Sequence, residues 1–251
     1  MSIDVLSVAD SALQRIDPRV RLAAAATFAT VVAVSYDPAA LIAALAVAVL
    51  LAALARLPAK VVAARLLVVN GLVVLLWVML PFTLPGESLL RVGPLSASRE
   101  GVLLAAQVTL KSNAIVLAFM SLVATLPPAT IGHALHRMRV PDKIVHLLLM
   151  TYRYIFVLEE EYQRLARAAR IRGFRAGTNL HTYRTYAYLV GMLFVRAADR
   201  AERVRNAMLC RGFRRRFHSL QEFRTTAWDI VFGAAMAAVV VVMAGLELGG
   251  R

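Results

Sequence analysis

The chain has 251 residues, 60% of them hydrophobic, and combines a mean hydropathy of +0.67 with a formal charge of +14. Soluble domains hold about 45–50% apolar residues, and a basic nucleic-acid-binding module would not supply several apolar runs of bilayer length. What remains is an integral membrane protein with a basic aqueous part, and the lone Cys210 excludes an intramolecular disulfide and a multi-cysteine metal site.

A spanning helix needs about 20 mainly apolar residues. In chain order the candidate spans are residues 20–36, 39–57, 66–82, 102–126 and 227–246. Two of them open on the same device, Asp17-Pro18 and Asp37-Pro38. Aspartate caps the free N–H groups of a first turn, where proline also fits. Asp37-Pro38 therefore predicts a tight turn between spans one and two. The amino terminus does not read as a signal peptide, because Asp4 and Asp10 stand where a basic region belongs.

Basic residues set the expected orientation. Arg15, Arg19 and Arg21 precede or open the first span, and Arg56, Lys60 and Arg65 lie between the second and third. Only Arg91 and Arg99 lie in the Pro/Gly-rich loop of residues 81–101, whereas 19 of the 29 basic residues fall in 127–224. The positive-inside rule puts the amino terminus and residues 127–224 in the cytoplasm and the carboxyl terminus outside. The expected fold is an all-α integral membrane protein with about five transmembrane helices. Its parts are a four-span region (1–126), a cytoplasmic coupling-helix region (127–224) and a last span (225–251).

Within 127–224 the pattern is helical. Pro127-Pro128 breaks the chain, a short helix is expected over about 130–139, and Val140-Pro141 ends it. A long helix then runs to Arg172, with Glu159, Glu160 and Glu161 at helical spacing from Arg164 and Arg167. Its apolar first half, 144–158, carries His146 and Arg153 and is short for a crossing, so it reads as interfacial. A second long helix, about 183–211, repeats the design with an apolar stretch at 188–195. Aligning 164–175 with 203–214 gives six identities in twelve positions, ending in Arg-Gly-Phe-Arg both times. Glycine just past a helix accepts the left-handed turn that closes it, and arginine there meets the negative end of the dipole. One such ending is an ordinary cap. Two matched copies point to two equivalent partner sites.

These endings, with the amino-terminal "DPRVRL" and the stretch "LPPATIGHALHRMRVPDKIVHLLLMTYRYI", resemble the transmembrane T component of energy-coupling factor (ECF) transporters over about residues 17–213. The cobalt/nickel branch, the CbiQ-type permease subunit, is the nearest version. The resemblance implies a non-catalytic scaffold in the bacterial cytoplasmic membrane, part of an ABC importer for cobalt or nickel. It implies two ABC ATPase subunits (CbiO-like) and a membrane substrate-binding subunit (CbiM-like), with a small accessory membrane subunit (CbiN-like) as an optional partner. No cofactor belongs to this chain; ATP would be held by the ATPase partners. By residue, the ATPase-contacting motifs fall on Ile171, Arg172 and Gly173 and on Cys210, Arg211 and Gly212, the cysteine replacing the family's usual alanine. Leu148, Ile155, Leu189 and Met192 would face the substrate subunit.

Other signals have plainer explanations beside the functional ones. Lys111 lies inside the fourth span near Gln107, Thr109, Ser112 and Asn113; it marks a transport path or a snorkelling or cross-helix pair. His133, His136 and His146 lack the further ligands of a four-ligand metal site and read as interfacial. Arg214, Arg215 and Arg216 read as an anchor to anionic lipid. No P-loop occurs, and no nucleophile–base set argues for a membrane enzyme. A T component for a vitamin and a self-contained channel or transporter stand as rivals, though the latter would be expected to repeat its spans rather than its cytoplasmic helices.

Overall fold

The structure, a computed structural model, describes residues 12–83, 88–92, 95–213 and 226–249. After a one-turn 3-10 helix at Ala12–Arg15 come α1 (Pro18–Val34), α2 (Pro38–Leu54) and α3 (Ala59–Thr83). A small hairpin, β1 (Ser88–Val92) and β2 (Leu95–Ser98), leads into α4 (Arg99–Leu122). Then follow α5 (Pro128–Arg137), α6 (Asp142–Ile171), α7 (Leu180–Cys210) and α8 (Ala227–Gly249). The chain divides into two compact units, Met1–Ile131 with Phe223–Arg251, and Gly132–Glu222.

The first unit is a helical bundle. Asp17 caps α1 by accepting from Arg19 N at 2.8 Å, and Asp37 caps α2 by accepting from Ala40 N at 3.3 Å. Three residues therefore suffice to turn the chain from α1 into an antiparallel α2. Ala40, Ala44 and Ala48 form a fully buried stripe on α2. Small side chains let the α2 and α4 backbones approach closely, as membrane helices do where lipid gives no hydrophobic drive between them. Phe28 and Val32 of α1, Leu41, Leu122 and Met243 complete the core.

Hydrogen bonds fix the directions of the helices. At one end, Asp17 N donates to Asp229 Oδ1 at 2.6 Å; at the other, Glu247 accepts from Tyr36 N at 2.9 Å and Asp37 N at 3.1 Å. Hence α1 and α8 run parallel. The start of α1 meets the end of α4 through Arg21 and Ser121 (3.2 Å), so those two are antiparallel. Pairs between Asn70 and Asn113 (3.0 and 3.2 Å) and between Trp77 Nε1 and Thr109 Oγ1 (2.9 Å) make α3 antiparallel to α4. The five bundle helices alternate in direction along the chain.

Each expected span coincides with a helix. Among the described residues α3, α4 and α8 are long and apolar enough to cross a membrane. Helices α1 and α2 have 17 residues each, about 25 Å at 1.5 Å per residue, short of a hydrocarbon core of about 30 Å. The expected loop at 81–101 is in part a hairpin, with Ser88 opposite Ser98 and Val92 opposite Leu95. Helix α3 also runs through Pro81 to Thr83, the missing N–H of Pro81 removing one ladder bond two residues before the helix ends. Helix α4 ends at Leu122 rather than reaching 126.

Lys111 is tied across helices. Its Nζ donates to Ala33 O at 3.0 Å and stands 4.1 Å over the Tyr36 ring centroid. With Gln107 Nε2 donating to Tyr36 O at 2.8 Å, α4 clasps the turn between α1 and α2.

Helix α5 begins two residues earlier than expected and ends at Arg137. Arg139, at φ +64°, turns the chain toward α6. Pro141 is the N-cap of α6, one position before the first turn where the sequence had placed it. His136 Nδ1 lies 2.9 Å from Asp142 Oδ1 across this joint.

Candidate partner-docking site on the α6–α7 hairpin

The two Arg-Gly endings are built alike. Arg172 and Arg211 are the C-caps of α6 and α7, at φ/ψ of −80°/13° and −86°/10°. Gly173 and Gly212 follow at φ +85° and +74°, in the left-handed region. Phe174 N donates to Ala169 O at 3.1 Å and Gly173 N to Arg170 O at 3.0 Å; Phe213 N to Met208 O and Gly212 N to Leu209 O have the same lengths. This six-to-one and five-to-two pairing is the Schellman closure, which satisfies carbonyls the helix leaves open. Both arginines are exposed, as is the free thiol of Cys210. Ile171, beside Arg172, is 87% exposed, so this apolar side chain contributes little to the chain's own packing.

The phenylalanines show how the helices lie. Phe174, past the end of α6, packs edge-on to Tyr186 of α7 at 5.7 Å and against His181 at 6.3 Å. Phe213, past the end of α7, lies 5.9 Å from His146 near the start of α6. Midway, Arg196 donates to Glu161, which also lies 3.8 Å from Arg164. The hairpin is antiparallel and its arginines sit at opposite ends. With Arg211 beside the start of α6, about 25 residues separate it from Arg172, or roughly 37 Å along the axis.

The same geometry separates the apolar halves. Leu148 and Ile155 belong to the first half of α6, Leu189 and Met192 to the first half of α7, so the two pairs stand about 15 residues or roughly 20–25 Å apart along the hairpin. Leu148, Ile155 and Met192 are exposed and Leu189 is half-buried. They do not form one patch.

The sequence profile of the CbiQ family, described as "Cobalt transport protein", matches residues 9–221. The chain belongs to the CbiQ family. It is 28% identical over 158 residues to the cobalt transport protein CbiQ of Rhodobacter capsulatus, covering 62% of this chain and 64% of that one. It is 28% identical over 189 residues to the energy-coupling factor transporter transmembrane protein EcfT of Leuconostoc gelidum, covering 68% and 70%. With the CbiQ of Salmonella typhimurium it shares 29% over 130 residues, 51% and 57% of the two chains. The matched part is thus just under two thirds of the R. capsulatus protein.

In this CbiQ member a groove of about 640 Å³ runs between α6 and α7, walled by Leu147, Met150, Tyr154, Val204 and Met208, with Arg200 at its polar side. Gly132 of α5 abuts α6: a Cβ there would stand 2.5 Å from Leu149 Cδ2. No group of three or more His, Cys, Asp or Glu side chains that could hold a metal occurs among the described residues. The arginine run Arg214–Arg216, like Asp4 and Asp10, lies outside the described residues. Asn70, the partner of Asn113, escaped the sequence reading; a lone polar residue in an apolar run does not reveal which helix it faces.

Proposed function

We propose that this chain is the transmembrane T component of an ECF-type ABC importer for cobalt or nickel ions. In this reading it does no chemistry itself. Two cytoplasmic ATPase subunits would receive Arg172 and Arg211 in acidic grooves, where the planar guanidinium pairs bidentately with carboxylate. Closure of the ATPases on nucleotide would drive the two ends of the hairpin, and α6 and α7 would carry that displacement to a separate membrane subunit that binds the ion. The end of the bundle holding Arg19, Arg56, Lys60 and Arg65 would face the cytoplasm of a bacterial cell. The observation that carries the reading is the pair of congruent endings, each presenting an exposed arginine whose side chain has no partner among the described residues. With the apolar halves separated, Leu148 with Ile155 and Leu189 with Met192 would touch the substrate subunit at two places. A vitamin importer is the second reading; its mechanics are the same and only the substrate subunit differs.

Arg172→Ala and Arg211→Ala test the reading. A hydrogen bond to a charged group is worth about 1.5–3 kcal/mol, so each change should weaken ATPase association about ten- to a hundredfold. The double variant should remain in the membrane, lose its ATPases and take up no ion; lysine at either position should restore only part. Normal ATPase co-purification and ion uptake by the double variant would reduce the endings to caps.

A further inference from the structure

Arg21, in the first turns of α1, has no exposed surface and heads the fully buried side chains by size. Its Nη1 donates to Leu13 O at 3.2 Å, and its Nη2 donates to Ser121 O at 3.2 Å and to the Thr125 hydroxyl. Thr125 Oγ1 in turn donates to Ser121 O at 3.0 Å, and Ser121 Oγ to Leu117 O at 2.7 Å. One guanidinium thus joins three stretches of chain: the 3-10 turn, α1 and the end of α4. Among the described residues none of its acceptors is a carboxylate. The neighbouring acids among the described residues are engaged elsewhere, Asp17 by Arg19 and Asp229 by the N–H groups of Asp17 and Thr226.

The charge is met instead by the carbonyl end of α4, the negative end of its dipole. A buried cation without a counter-anion is costly, and an apolar side chain of similar volume often serves stability as well or better. Packing alone therefore gives no reason for an arginine here. Position does: α4 is the last bundle helix before α5 and α6, and Ser121, Leu122, Val123, Thr125 and Leu126 are all buried.

We propose that Arg21 is a positioning residue for energy coupling, pinning the end of α4 so that the chain leaves the bundle from a fixed point. This rests on the T-component reading. Movement of α6 is then taken up beyond the pin, at the joint where Arg139 holds φ +64° and Pro141 starts the next helix. Without the pin, the end of α4 yields and ATPase movement is dissipated in the bundle.

Arg21→Met fills the volume and removes the ties; Thr125→Val removes one acceptor. Two measurements are made on each. In the full chain in nanodiscs, amide exchange over residues 119–126 should speed up about tenfold for Arg21→Met, the equivalent of one hydrogen bond to a charged group. Unchanged exchange overturns the pin, whatever the protein transports. In the assembled complex, ions taken up per ATP hydrolysed should fall several-fold with the ATPases still bound, less so for Thr125→Val, and Arg21→Lys should recover part. A lower melting temperature with an unchanged ion-to-ATP ratio overturns the coupling role and leaves a packing one. Should Arg21→Met fail to fold, Thr125→Val decides by the same two readouts. Loss of the T-component reading shows separately, as wild-type chain that binds no ATPase.

Discussion

Gly173 and Gly212 are glycines because of backbone and not because of space: a Cβ at either position would meet nothing within 4 Å, yet φ is positive at both. An L-residue held in the left-handed region costs about 1–2 kcal/mol. Gly173→Ala and Gly212→Ala should therefore each lower stability by about that much, seen as a reduced melting temperature, with asparagine intermediate. Gly101 is the opposite case. A Cβ there would stand 2.5 Å from Leu80 O and 2.7 Å from Pro81 Cα, backbone atoms that cannot swing aside. Gly101→Ala should thus be worse than either hairpin substitution, and α3 and α4 should part where they now meet. Both Arg-Gly turns were legible in the sequence, because a helix ending is written in adjacent residues. Arg21 was not. It read as one more basic residue flanking a span, since nothing local tells that Ser121 and Thr125, a hundred residues on, supply its acceptors.

At the scale of elements, the helices were legible to within a few residues from apolar runs punctuated by Asp-Pro, Val-Pro and Arg-Gly, α3 excepted because it starts at Ala59, seven residues before its apolar run. The pairing of α6 with α7 was not, and it separates two apolar halves that similar design alone would group together. That pairing depends at mid-length on Glu161 and Arg196. The Arg196 guanidinium, by its hydrogen bond and then its charge, holds the Glu161 carboxyl below the ordinary glutamate range. A carboxylate lowered in the folded state stabilises the fold above its unfolded pKa, and that contribution fades as pH falls through the folded one. Above about pH 4.3, the ordinary glutamate value, the contribution of the Glu161–Arg196 pair should be constant; below it, the hairpin should loosen at mid-length. Spin labels at Gln163 and Asp199, with Cys210 replaced by serine, would report this as a broadened distance distribution in acid. Glu161→Gln should show that broader distribution already at neutral pH and change little on acidification. A wild-type distribution as narrow in acid as at neutral pH would mean that the aromatic contacts at the two ends hold the hairpin alone.

For the molecule as a whole, the alternating directions of the bundle helices leave one free choice, which end faces the cytoplasm. The starts of α1, α3 and α8 and the ends of α2 and α4 share an end, and that end carries Arg19, Arg56, Lys60 and Arg65 in or beside its helices. The other end holds the β1–β2 hairpin with Arg91 and Arg99. Lysine and arginine near helix ends are retained on the cytoplasmic side, so the first end should face inward, and the chain leaves α4 there on its way to α6 and α7. A reporter inserted near Gly177 should therefore be cytoplasmic, and one fused after Arg251 should lie outside, because α8 runs parallel to α1 and ends where the turn between α1 and α2 lies. The short α1 and α2 make this a demanding test, since 17 residues cross a full hydrocarbon core only where the bilayer thins or flanking side chains snorkel. Moving two basic residues, Arg56→Gln with Lys60→Gln, should weaken the bias and yield a mixed orientation. Both reporters on one side of the membrane would contradict the crossing by α8, and with it the five-span arrangement.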